Sequence, residues 1–157
     1  MSNPQDVEPI AIIGIGCRMP GNVGSAEDMW RLVSPGGSGW KTVPADRWNA
    51  DAFYHPDKGA RQSYNTKTGY FIDQDISHYD SRFFGFSSVE ANSTDPQQRI
   101  LLETTYEALE NAGIPMESLK GTDTAVFAAL FARDYDRMGY KDLDTLSGKS
   151  FGCARSC

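Results

Sequence analysis

Three cysteines and two histidines carry the nucleophilic and metal-binding chemistry open to this sequence: Cys17, Cys153, Cys157, His55 and His78. A thiolate paired with an imidazole would attack thioesters and amides, and clustered His and Cys would hold a metal such as zinc. Neither arrangement is marked here. His55 and His78 stand alone in loop-like sequence, with no second His or Cys at i+2, i+3 or i+4. Cys153 and Cys157 are four residues apart but lack the second pair that a structural zinc site needs. Gly14 and Gly16 follow an apolar run, as a dinucleotide loop would, yet the third glycine position of G-x-G-x-x-G is Met19, and Pro20-Gly21 stands where a helix should begin. The alternative is a tight strand exit where two backbones pass closely. No P-loop is present. The sequence therefore assigns no catalytic, cofactor-binding or metal-binding residue, and no cofactor.

The whole chain bounds the remaining possibilities. Its 157 residues suffice for one domain with a core. Apolar residues make up 39% and charged residues 23%, which argues against wholesale disorder. A net charge of -6 disfavours nucleic-acid or anionic-membrane partners. No apolar run approaches the roughly 18 residues that a membrane span requires. The start, MSNPQDVEP, has neither the basic nor the apolar region of a signal peptide. An odd number of cysteines, two of them close together at one end, predicts a reducing, cytoplasmic setting rather than a disulfide framework.

The elements that would position any site can be read in order. Ile10 to Ile15 is a short, β-branched apolar run that predicts a strand buried on both faces. SAEDMWRLV predicts a helix boxed by Ser25 and Asp28, with Met29, Trp30, Leu32 and Val33 as its apolar face. Residues 38–68 hold no period but contain Trp40, Trp48, Phe53, Tyr54 and Tyr64, which predicts an ordered excursion. GYFI predicts a brief strand. Two helical turns follow, one around Phe83 and Phe84 and one opened by Ser87 with Glu90; Phe83, Phe84 and Phe86 read as core. The strongest helix is DPQQRILLETTYEALENAG: Asp95 caps it, Pro96 opens it, Gln98 completes a box, and Gly113 and Pro115 stop it. Leu101, Leu102, Thr105, Ala108, Leu109 and Ala112 form its apolar stripe, while Arg99, Glu103, Glu107 and Glu110 read as a solvated face. Thr124 to Ala132 predicts a second buried strand. The order predicts an α/β layer with a parallel sheet.

The succession EPIAIIGIGCRMPG, AEDMWRLV, VPADRWNADAFYHPD, GYFIDQDISHYDSRFFGFSSVEA, DPQQRILLETTYEALENAGI and GTDTAVFAALFARDY resembles the N-terminal part of the β-ketoacyl synthase domain of type I polyketide synthases, most closely the fungal highly reducing kind. The resemblance runs from about Glu8 to Ser147, with Thr94 a small departure where the family more often has an apolar residue. It implies three segments: a leader at 1–7, the ketosynthase segment at 8–147 and a tail at 148–157.

The resemblance implies a thiolase-like layered α/β fold, present here as an incomplete N-terminal portion. It also implies decarboxylative condensation of acyl and malonyl thioesters, with an acyl carrier protein and a second ketosynthase copy as partners. In the family a cysteine nucleophile and two histidines do this chemistry, all downstream of the matched motifs. FGCARSC around Cys153 lacks the Asp-Thr that precedes the family's cysteine, so neither Cys153 nor Cys157 inherits its role. The expectation is a truncated, non-catalytic fragment; the alternative is a non-enzymatic partner of an intact synthase.

Overall fold

The computed structural model describes residues 9–135 and 137 of the chain. Residues 9–18 run without regular secondary structure to a tight reversal closed by Met19 N–H to Val23 O at 3.0 Å. Gly21 and Asn22 turn this reversal with φ of 85° and 58°, the left-handed region that Gly and Asn tolerate best. Helix α1 (Ala26–Val33) then starts on Ser25, whose hydroxyl accepts the Asp28 N–H. The Asp28 carboxylate reaches back to the Gly24 N–H and the Ser25 hydroxyl, so the predicted box forms with its return bond one residue early.

Strands β1 (Trp40–Thr42) and β2 (Thr68–Tyr70) pair antiparallel, Lys41 opposite Gly69. The excursion between them is ordered, as predicted. It is closed by Val43 N–H to Lys67 O, by Tyr64 N–H to Phe53 O and by His55 N–H to Tyr64 O. Edge-to-face contacts of Trp40 on Tyr70 and Trp48 on Phe71, at 5.0 and 5.4 Å, pin its two ends.

Helix α2 (Ser88–Ser93) carries the predicted Ser87–Glu90 box with both bonds present. The segment around Phe83 is a hydrogen-bonded turn rather than a helical one, because Phe86 N–H returns to Ser81 O across Gly85 at φ 75°. Helix α3 (Pro96–Ala112) follows. Its cap differs in detail from the predicted box: the Asp95 carboxylate takes the N–H and side-chain amide of Gln97, and Gln98 N–H goes to the Asp95 carbonyl. At the other end Gly113, at φ 69°, and Ile114 return their N–H groups to Glu110 and Leu109. That pair of bonds is a Schellman stop.

Two strand predictions are corrected. Ile10–Ile15 and Thr124–Ala132 form no ladder among the described residues, and the sheet that is present there is two-stranded and antiparallel rather than parallel. The reason is physical: a parallel strand exists only through its neighbour's hydrogen bonds, and neither segment meets one among the described residues. Their side chains stand open, with Ile10 95% and Phe127 96% exposed. Val23 is the one buried hydrophobic residue among those described.

Candidate functional site

Helix α3 is the platform on which the rest is assembled. The segment 14–16 crosses it so closely that a side chain at Gly14 would lie 2.1 Å from Ala108 O, and one at Gly16 would lie 2.3 Å from Thr104 O. The two glycines thus serve backbone approach to a helix rather than a phosphate. Ile15 N–H donates to the Asn111 amide oxygen at 3.1 Å, fixing the register of the crossing. Arg18 then forks onto Glu107 with both terminal nitrogens, and one of them also donates to Cys17 O at 3.0 Å. Its side chain is 12% exposed and its Nε has no hydrogen-bond partner. Glu107, together with its neighbour Glu103, raises the guanidinium pKa above its already high ordinary value.

Asp73 is a second anchor. Its carboxylate accepts the Gly21 and Asn22 N–H groups at 3.1 and 2.7 Å and pairs with Lys41. Lys41 first, then the backbone donors, hold its pKa below the ordinary aspartate range. Consecutive N–H groups in a left-handed turn form a concave anion seat, here filled by a side chain of the same chain.

Arg99 is a third anchor, at the start of α3. It donates to the carbonyls of Thr94 at 2.8 Å, Asn92 at 3.3 Å and Ser77 at 3.4 Å. The Tyr135 hydroxyl closes the same cluster by donating to Asn92 O at 2.6 Å. Arg99 and Glu107 were predicted to lie on a solvated face. Both instead hold tertiary contacts, which helical period alone does not reveal.

Cys17 is half-buried and lines a cleft of about 460 Å³ with Met19, Leu101, Thr104 and Leu130. No imidazole adjoins it in the described hydrogen bonds. His55 accepts the Asp57 N–H through Nδ1, and His78, 88% exposed, stands 3.5 Å from Asp75. Among the described residues no His, Cys, Asp and Glu group is placed to hold a metal ion. Cys153 and Cys157 lie outside the described residues. So does Gly148–Gly152, whose letters fit G-x-S-x-G but follow no strand pattern, the context that a nucleophile elbow requires. The predicted aromatic cluster forms, with Phe83 meeting Phe84 at 4.9 Å and Tyr106 at 4.7 Å, but its reading as core is corrected: Phe83 is 48% exposed and Phe84 and Phe86 are only half-buried, because no further layer covers them among the described residues.

The order of motifs and the fold agree with one family. The family model of the β-ketoacyl synthase N-terminal domain covers residues 7–153, and the chain belongs to that family. It is 52% identical over 139 residues to the highly reducing polyketide synthase ltbA of Aspergillus luteorubrus, covering 88% of this chain and 4% of that protein. The highly reducing polyketide synthase SAT13 of Stachybotrys chartarum is 51% identical over 144 residues, 91% of this chain and 6% of that protein. A non-reducing relative, olcA of Penicillium canescens, reaches 49% over 140 residues, 89% of this chain and 6% of its own length. Among solved structures, the OzmH KS7 ketosynthase domain of oxazolomycin synthesis from Streptomyces albus superposes with a TM-score of 0.65 at 35% identity, over 70% of this chain and 19% of that one. The module 6 ketosynthase of the Bacillus subtilis bacillaene synthase gives 0.60 and 32%, over 69% and 18%. The chain thus spans a small fraction of each relative, and its fold is part of a thiolase-like α/β domain.

Proposed function

We propose that this chain supplies the N-terminal scaffold of a polyketide ketosynthase unit and does not by itself condense acyl and malonyl thioesters. One observation carries the reading: among the described residues, the matched stretch holds a set of anchors around α3, and its one described thiol, Cys17, has no imidazole among its hydrogen-bond neighbours. Cys17 meets no imidazole in the described hydrogen bonds, and a thioester-accepting thiolate needs a lowered pKa or an adjoining base. Arg18, Asp73 and Arg99 instead spend their hydrogen bonds on backbone and on one another's elements.

In this reading a complete unit of the fungal highly reducing type makes the carbon–carbon bond. An acyl carrier protein delivers its substrates and a second ketosynthase copy completes its assembly. Residues 8–147 are the interchangeable scaffold, and 148–157 a tail outside it. No specific contact among the described residues favours the alternative, association with an intact synthase.

The test is a graft. Residues 8–147 replace the corresponding segment of an active fungal highly reducing ketosynthase. Retained β-ketoacyl formation supports the scaffold reading; a well-folded chimera that is inactive contradicts it.

A further inference from the structure

The C-terminal end of α3 gathers a chemistry that the scaffold role does not use. A cavity of about 550 Å³ opens there, walled by Phe83, Tyr106, Glu110, Gly113, Met116 and Glu117 among others. That volume lies in the range of small-molecule sites. Its two aromatic walls meet nearly at right angles, with the Phe83 and Tyr106 ring centroids 4.7 Å apart and 77° between their planes. Both charged walls are carboxylates. Among the described residues neither Glu110 nor Glu117 has an ion-pair partner, and no Lys, Arg or His lines the cavity. The helix adds to the same sign, because the carbonyls at its C-terminus carry about half a negative charge. Helix α1 offsets this with Arg31 in its last turn, whereas the last turn of α3 holds no basic residue. The negative potential is felt at the aromatic wall: Glu110 above all, then burial, and to a smaller extent Glu117, raise the Tyr106 phenol above its ordinary pKa.

We propose that this cavity binds a small organic cation of the alkylammonium class. A corner of two rings offers a π-face and an apolar wall to the methyl groups of such a cation, and the carboxylates and helix end supply the opposite charge. Rings and charge together select against the two simpler guests. A neutral apolar molecule would leave two carboxylates uncompensated. A compact metal ion would exchange its hydration shell for too few oxygens, since the described residues hold no cluster of three or more metal-ligating side chains. A quaternary ammonium is large and weakly hydrated, and it meets both kinds of wall at once.

The experiment titrates the purified 157-residue chain with choline chloride at fixed ionic strength, followed by proton NMR and calorimetry. Saturable binding in the millimolar range is expected, with the choline methyl protons shifted upfield by the ring faces. The uncharged analogue, with carbon in place of nitrogen, should bind at least about tenfold more weakly. Phe83→Leu should weaken choline binding about tenfold and Glu110→Gln about fivefold. Both positions are exposed, and an unchanged circular dichroism spectrum shows that the variants keep the fold. Glu27→Gln removes the same charge far along the chain, beside Arg31, and should leave the affinity as it was. Absence of saturable binding overturns the proposal, as does equal affinity for the uncharged analogue. So does a Glu27→Gln variant as weak as Glu110→Gln, the mark of diffuse net charge. A capped trimethyllysine peptide that binds more tightly than choline overturns the assignment to a free small molecule.

Discussion

At the scale of single residues, the side chains with most consequence are those whose partners lie far away in sequence. Arg18 finds Glu107 and Asp73 finds Gly21, Asn22 and Lys41. Replacing Arg18 by Gln leaves the half-buried Glu107 without its fork and should loosen the crossing of 14–18 over α3 by about 1–2 kcal/mol. Faster amide exchange at Ile15, with the amides of α1 unchanged, checks it. Asp73 gives a pH dependence with a definite sign. Its folded pKa lies below the ordinary value of about 3.9, so its contribution is present above that value and is lost as pH falls through its own lower pKa. The amide signals of Gly21 and Asn22 should therefore hold steady from neutral pH to about 4 and shift only below it. Movement near pH 6 would point to another group. None of these partners was legible in the sequence, since an ion pair between positions 18 and 107 leaves no trace in local spacing.

At the scale of elements, locally determined features were legible and neighbour-dependent ones were not. The starts of α1, α2 and α3 and the stop of α3 came from capping residues within a few positions of each end. Such signals act over one turn. Asp95→Ala should therefore cost the helix about 0.5–2 kcal/mol, read as reduced helical ellipticity. The strand predictions at 10–15 and 124–132 were overturned as assigned elements, because hydropathy reports what a segment would bury and cannot supply the strand beside it. The two glycines after Ile13 were legible as a close approach, but not that the approach is to Thr104 and Ala108. Gly16→Ala tests this: its added carbon would meet Thr104 O, so the segment should lift from α3, with proteolysis near Cys17 accelerated several-fold. A Gly24→Ala control, whose added carbon meets nothing nearer than 3.9 Å, should leave the cleavage rate as it was.

At the scale of the whole molecule, family membership was legible from the order of six motifs, none of which is specific alone. The solved relatives bear it out at TM-scores of 0.65 and 0.60. The open apolar segments and the single buried hydrophobic residue among those described fit a part of a larger layered fold. The chemistry proposed for the complete unit asks for a thiolate, imidazoles and oxyanion donors held together in one dry pocket. The described residues hold anchors instead. The most direct measurement is to incubate the purified chain with an acyl thioester and a malonyl-loaded carrier protein and to look for a β-ketoacyl product by mass spectrometry. No product above the level of a variant with Cys17, Cys153 and Cys157 replaced by Ala is the predicted result; turnover that disappears when one of those cysteines is replaced would contradict it.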